Sequence, residues 1–471
     1  MSLAELEARV AHDLACLNWG EADWLAPQSD THDVVIIGGG QSGLGAAFAI
    51  MRERIGNVLI LDENPSGYEG PWDSYARMAT LRTPKHLTSI DLGVGSLTPR
   101  AWWEAQHGAE SWAELGKIPR LEWMAYLRWY RRVLGLPVRN DARVTLIEPL
   151  GGRFRLHLGD GTSLLARKVV LATGIQGGGH WHIPPMIAEA LPRHRYAHTS
   201  EAIDFASLAG KRVAILGGGA SAFDNASTAL EAGAARVEVH MRRSEMPRVN
   251  PIRFMEGAGM IQRYPALDDA GKYDVMKSFF GRAMPPTTDM FERAAAFPGF
   301  ALRLGSPWLD VVETPEGVRV STPRGSFTCD QLILSTGLVT DPALRPELAL
   351  VQGRIARWGD RFTPPPGSAD PVIDTHPYLG PGFQLLPHKP EDADALHGLF
   401  AFNYAAVVSL GLSASAISGL RHALPRLATG VADQLFLDER ETIVAAYHAY
   451  AVPEFTAEWR DETPGETGEA A

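Results

Sequence analysis

Hydrophobic and polar positions in this chain fall into short blocks rather than a single period. Val34-Val35-Ile36-Ile37 is an uninterrupted apolar run that stops at Gly38, as expected of a strand buried on both faces of a parallel sheet. Leu44 to Met51 continues as a buried helix, and Val58-Leu59-Ile60-Leu61 is the next strand, so the spacing predicts a βαβ unit. The same order returns at Val213-Ala214-Ile215-Leu216, followed by Gly217, a helix from about Ala220 to Ala232, and a strand from Val237 to Met241. Between the two units, Arg120 to Leu134 predicts an aromatic-rich helix, and Val144 to Leu165 a hairpin turned at Gly159-Asp160-Gly161. Two strand ends repeat one another, Ala172-Thr173-Gly174 and Ser335-Thr336-Gly337. Leu3, Leu6, Val10 and Leu14 recur at helical spacing, predicting an amphipathic helix that packs on the body or on a partner subunit.

The predicted fold class is α/β, with two Rossmann-like dinucleotide-binding domains, the first discontinuous in sequence. The expected boundaries are an N-terminal helical extension over 1–31, a first domain over 32–206 and 331–452, a second over 207–330, and an acidic tail over 453–471. The stretch 250–300 is an insertion, readable either as a lid or substrate wall or as packing. The small-residue run from Gly411 to Leu420 is expected to be a helix whose N-terminus faces a cofactor.

Composition narrows the function. The 471 residues carry a net charge of −11, which argues against a nucleic-acid binder, since that needs a basic face. The 2 cysteines, Cys16 and Cys329, are too far apart for a Cys-x-x-Cys redox centre and too few for a disulfide framework or zinc site, and no metal site is expected. Met1 to Gln28 lacks the basic and apolar regions of a signal peptide. The uncharged stretch Val34 to Met51 is interrupted by Gly38-Gly39-Gly40, so no membrane segment is expected and the predicted location is cytoplasmic.

The 47 glycines include two turns that carry the chemistry. Gly38-Gly39-Gly40-Gln41-Ser42-Gly43 is a full G-x-G-x-x-G, which lets a backbone approach a pyrophosphate and a helix pack closely on a strand. Asp62 follows at the ~20-residue distance where a carboxylate accepts from ribose hydroxyls and repels a 2′-phosphate. Gly217-Gly218-Gly219-Ala220-Ser221-Ala222 is the variant ending in alanine, and at the equivalent distance stand Arg242 and Arg243, which suit a 2′-phosphate. The contrast assigns FAD to the first turn and NADPH to the second.

Two such turns with paired Thr–Gly strand ends resemble the class B flavin-dependent monooxygenases, which include flavin-containing, Baeyer–Villiger and N-hydroxylating enzymes. Glu69-Gly70-Pro71-Trp72 is similar to the family's G-G-x-W segment, which implies that Trp72 lies beside the flavin. Thr80-Leu81-Arg82-Thr83-Pro84 is similar to a T-L-R-x-P stretch of the N-hydroxylating members, and Leu338-Val339-Thr340-Asp341 to the pattern after the second Thr–Gly. His198-Thr199-Ser200 resembles part of the linker fingerprint, although Pro192 and His194 replace its Phe and Gly, and Ala202 replaces an aromatic or proline. Arg82 stands where flavin-containing members carry Asn. The segment that Baeyer–Villiger enzymes place after the tryptophan is missing, which favours heteroatom over ketone oxygenation.

The resemblance implies that NADPH reduces FAD and that a flavin C4a-(hydro)peroxide then oxygenates nitrogen or sulfur in a small molecule, with O2 as co-substrate. An NADPH-dependent reductase or oxidase is the alternative. Arg82 and Lys85 are expected near the flavin–NADP⁺ junction. Gly38, Gly40, Gly43, Asp62, Trp72, Val144, Thr173, Gly174, Gly217, Gly219, Ser221, Ala222, Arg242, Arg243, Gly337 and Gly411 are expected at the cofactors. A homo-oligomer is compatible with this reading.

Overall fold

The computed structural model describes residues 1–87 and 90–459; most of the expected acidic tail, 460–471, lies outside the described residues. Residues 1–432 form one compact unit, and a second begins at Asp433. The second unit holds the end of the helix Ile417–Asp438 and the helix Arg440–Ala449, which buries none of its side chains.

Within the first unit, one sheet contains β1 (Thr31–Ile37), β2 (Val58–Leu61), β3 (Val138–Arg139), β4 (Val144–Pro149), β5 (Phe154–Leu158) and β6 (Ser163–Leu171), ordered β3-β2-β1-β6-β5-β4. The β3–β2, β2–β1 and β1–β6 pairings are parallel, and β5 and β4 extend them as an antiparallel hairpin. Register aligns Ile37 with both Leu61 and Leu171, so these strands end together. Gly38, Asp62 and Ala172 therefore share one carboxyl edge, where ligands bind in open α/β sheets.

The chain then passes through β7 (Gly179–Trp181) to β8 (Tyr196–His198), β9 (Arg212–Leu216), β10 (Arg236–His240) and β11 (Phe300–Arg303). An antiparallel meander follows, β12 (Asp310–Thr314), β13 (Gly317–Thr322) and β14 (Gly325–Cys329), and then β15 (Gln331–Leu334). The second sheet is wholly parallel, ordered β11-β10-β9-β15-β8. It includes β8 and β15, both outside the expected 207–330. Tyr196–His198 is too short to read as a strand from its own sequence, and it pairs only because β15 offers an edge. Register sets Leu216 beside His240 and Leu334, so Gly217, Met241 and Ser335 stand at one edge. On the return, β16 (Leu338–Thr340) pairs antiparallel with β7, and β17 (Leu399–Phe400) adds to β6 in the first sheet.

The N-terminal helix Leu3–Cys16 packs on the protein's own body. Ser2 and Glu5 form a capping box, and Leu6, Val10 and Leu14 are buried. Glu7 accepts from Arg132 and Trp129, and Asp13 accepts from Ser96. Each apolar side chain buried in this way contributes roughly 1.5–3 kcal/mol. The 250–300 insertion is helical. Its segment Asp269–Gly281 places Met276 and Phe279 in a core with Trp358, Ile373 and Val408, while Phe291 of Thr288–Ala295 packs on Phe223. The run from Gly411 does not begin a helix as expected. Gly411 ends the short helix Val407–Leu410 at φ 71°, and the next helix starts at Ile417. A Cβ on Gly411 would lie 2.8 Å from the Tyr264 ring, so glycine is required there for packing.

Candidate active site

The first glycine turn joins β1 to the helix Gln41–Arg52. Gly38 has φ 108°, and a Cβ there would meet the Ala172 carbonyl oxygen at 2.4 Å, while one on Gly43 would meet the Gly38 oxygen at 1.8 Å. These contacts bring the strand ends and helix together and leave the helix opening on Gly40, with no side chain capping it. Asp62 is buried at the end of β2. Its Oδ2 accepts from the Gly39 N–H at 2.7 Å, and its Oδ1 from the Asn64 backbone N–H at 2.8 Å and side chain at 2.9 Å. Burial raises its pKa against those bonds. Oδ2, with a single donor, retains a lone pair for a ribose hydroxyl. Val144 opens β4 close by, two residues after Ala142, whose N–H donates to the Asp62 carbonyl.

A cavity of about 470 Å³ lies beside Gly39, lined in part by Ser66, Glu69, Arg128 and Arg131. Arg131 pairs with buried Glu69 at 2.5 Å, and Arg128 reaches the Gly67 carbonyl and Asp73. Trp72 packs near Gly70, which lies against Gly40, and its indole Nε1 is buried without a hydrogen-bond partner among the described residues. The Ser42 hydroxyl donates to the Ala414 carbonyl at 2.7 Å, bringing the 411–416 turn over the helix start. In and just after that turn, the Ser413 and Ser418 hydroxyls are also buried and have no partner among the described residues. Unspent donors around an uncapped helix start fit FAD, and these residues could hold it.

Thr173 and Gly174 sit at the end of β6. Gly174 has φ 73°, and the Thr173 hydroxyl accepts from buried Asn403, whose amide also donates to the Gly177 carbonyl. Asn403 carries no sequence signal, because its role depends on a contact with residues more than two hundred positions earlier.

The second turn repeats the first. Gly217 has φ 110°, with a Cβ position 2.2 Å from the Ser335 carbonyl oxygen; Ala222 is fully buried, and Ser221 is exposed. The helix Ala220–Glu231 opens on uncapped Gly219, where a Cβ would meet nothing within 4 Å. That space and the free helix start could hold a pyrophosphate. Arg242 and Arg243 are exposed just beyond β10; Arg243 donates to the Gly281 carbonyl at 2.9 Å, whereas Arg242 has no partner among the described residues. Gly337, at φ 78°, has open space around its Cβ position and accepts from the His182 N–H. His198 is buried against Trp181 at a ring distance of 5.0 Å, and burial pushes its pKa down to about 4, so it is neutral.

The two expected catalytic residues separate. Lys85 donates to the carbonyls of Trp112, Ala113 and Leu115, tying down the end of the short helix Ser111–Glu114, and lies 5.4 Å from the Trp112 ring centroid. Its ammonium is committed there, which corrects the expectation that it serves the cofactor junction. Arg82 is half-buried, and its backbone carbonyl accepts from Arg253 of the insertion at 2.6 Å. Its guanidinium is within electrostatic range of Asp224 on the second glycine-turn helix. Arg120 joins this junction, donating to the Trp72 and Met78 carbonyls. Neither Asp224 nor Arg120 stood out in the sequence, since each gains its place only when the two domains meet.

Two uncapped glycine turns, each at the end of a parallel strand in its own sheet, define a two-domain flavoprotein that binds a pyridine nucleotide. Residues 35–252 match the family model described as pyridine nucleotide-disulphide oxidoreductase. An FAD-dependent urate hydroxylase of Xanthomonas campestris pv. campestris is 61% identical over 469 residues, covering 98% of this chain and 99% of that protein. An ornithine hydroxylase structure from Pseudomonas aeruginosa superposes with TM-score 0.67 at 18% identity, covering 86% of this chain and 100% of that one. An L-lysine 6-monooxygenase structure from Pseudomonas syringae gives 0.64 at 19%, covering 86% and 99%. These two show the shared fold. The chain belongs to the FAD-dependent hydroxylase family of the Xanthomonas protein, and it is a flavoprotein monooxygenase that uses FAD and NADPH. It has no paired cysteines for disulfide chemistry: Cys16 is exposed and free, and Cys329 is buried with its thiol pushed up to about 12. No helix among the described residues is long and apolar enough to cross a membrane.

Proposed function

We propose that this enzyme hydroxylates urate. The observation that carries the reading is 61% identity to a urate hydroxylase across nearly the whole of both chains. Urate is electron-rich, dense in ring N–H groups and anionic at neutral pH, and the arginines at the junction suit that charge. FAD, when bound, accepts a hydride from NADPH and activates O2 in its reduced form, so that one oxygen atom enters urate and the other leaves as water. The first glycine turn, Asp62, Trp72 and the Thr173–Gly174 strand end hold FAD. The second turn and Arg242 hold NADPH, with Arg242 on the 2′-phosphate. The insertion walls the junction, excluding water through Tyr264 packed on Gly411 and through Arg253 on the Arg82 loop. The cytoplasm, which supplies NADPH and keeps cysteines reduced, is the matching compartment.

Turnover under ¹⁸O2 tests the reading. Urate should gain one ¹⁸O atom per NADPH consumed. Unchanged urate with stoichiometric hydrogen peroxide would identify an NADPH oxidase instead.

A further inference from the structure

We propose that the helix Arg440–Ala449 and the aromatic stretch after it form a two-fold interface between two copies of this chain. The helix has 10 residues and buries none of its side chains. A helix that short is marginal in water, because its few hydrogen bonds barely offset the ordering of its backbone, and it persists where one face is packed. Its apolar positions share such a face. Ile443 and Tyr447 are one turn apart, Val444 lies three residues before Tyr447, and Tyr450 continues the line just past the helix end.

The face is large as well as apolar. Tyr447, Tyr450, Phe455 and Trp459 are between 69% and 75% exposed, and Val444 is 48% exposed. The Phe455 and Trp459 rings lie 5.7 Å apart, so the stretch after the helix carries an aromatic pair of its own. Single exposed apolar residues are ordinary on a protein surface, whereas four aromatics in one short segment mark a contact site. An aromatic side chain offers about 150–250 Å², so these four leave roughly 600 Å² in water. Val444 and Val452 add to that, and a standard stable interface takes about 800 Å² from each partner.

Composition and charge select the occupant. Residues 460–471 hold no apolar side chain larger than proline, so they cannot cover the aromatics. Between Asp433 and Trp459 stand 6 carboxylates and a single arginine, which an anionic lipid surface repels. A second copy brings the same stripe, and a two-fold contact requires only a patch complementary to itself. Antiparallel packing provides that complementarity. Glu441 lies in the first turn and His448 in the last, seven residues apart on one flank of the stripe. A two-fold axis midway between them, close to Val444, sets each Glu441 beside the partner's His448 and opposes the two helix dipoles.

Sedimentation velocity of the FAD-loaded, full-length enzyme over low to high micromolar concentration tests the interface. Wild type should sediment at about twice the chain mass of 51.2 kDa. Val444→Glu combined with Tyr447→Glu places charge on a face already exposed in the single chain. This variant should keep wild-type FAD content and melting temperature while its dimer dissociation constant rises by about thirtyfold or more. Val444→Cys reads the arrangement independently: mild oxidation should link two chains through it. Wild type, with its own exposed Cys16, sets the background for that link. Three results overturn the proposal: a wild type at single-chain mass throughout, a dimer that the double variant leaves intact, or a Val444→Cys link no stronger than background. Wild type that stays at single-chain mass and pellets with neutral phosphatidylcholine vesicles assigns the face to a lipid surface instead, and equally overturns it.

Discussion

Replacing Asp224 by asparagine should make the resting enzyme more stable, and the gain should depend on pH. Burial raises the Asp224 pKa from 3.8 to about 6, against the opposing pull of Arg82, Arg293 and Arg120 and with a small push from Asp289. A displacement of about two on the pH scale corresponds to about 3 kcal/mol held against the folded state when the group is ionised. The sign follows from the order of ionisation. Below about pH 4 the carboxyl is protonated in folded and unfolded chains alike, and asparagine gains nothing. Between 4 and 6 the unfolded chain ionises first, so wild-type stability falls as pH rises; above 6 the full difference remains. With an unfolding entropy of about 2.1 cal/mol/K per residue over roughly 430 residues, 3 kcal/mol raises Tm by about 3 °C. Differential scanning calorimetry of the FAD-loaded proteins at pH 4 and pH 8, without NADPH or urate, reads this directly. An equal gain at both pH values would mean that packing rather than charge is responsible. A loss at pH 8 would refute the reasoning outright.

Two further outcomes follow from the second glycine turn. Arg242→Ala should raise KM for NADPH by about tenfold while leaving KM for NADH nearly unchanged, and Arg243→Ala should do less because its guanidinium is already tied to the Gly281 carbonyl; steady-state kinetics with both nucleotides decide this. Gly219→Ala, whose Cβ meets open space, should fold and melt like wild type yet bind NADPH more weakly, whereas Gly217→Ala, 2.2 Å from the Ser335 oxygen at positive φ, should lower Tm sharply. Equal melting of the two variants contradicts the geometry of the turn.

What the sequence makes legible is local. A strand, a glycine turn and a helix are written in consecutive residues, so Gly38, Gly43, Gly217 and Ala222 could be placed from spacing alone. The acidic and basic residues ending the second strand of each unit, Asp62 and Arg242, are legible for the same reason. Positions that depend on the meeting of distant segments are not. Lys85 reads as a loop lysine until the carbonyls of Trp112 and Leu115 are brought to it. Gly411 reads as the start of a helix until Tyr264 packs against it. Tyr196–His198 becomes a strand only because β15 supplies a partner. Asp224 is one polar residue in an amphipathic helix, and only the absence of a hydrogen-bond donor in three dimensions marks it out.

The antiparallel pairing of β7 with β16 has a mechanical consequence. The chain leaves the first sheet and returns to it through these two strands, and their hydrogen bonds turn two tethers into a single ribbon. Two independent tethers permit twisting, sliding and separation, whereas a two-stranded ribbon resists stretching and in-plane shear and flexes most easily across its flat face. Through this linkage, relative motion of the sheets is easiest as rocking about one axis. Gly179 fixes that axis: a side chain there would strike the Val339 carbonyl, so the ribbon cannot thicken or slip at its first rung.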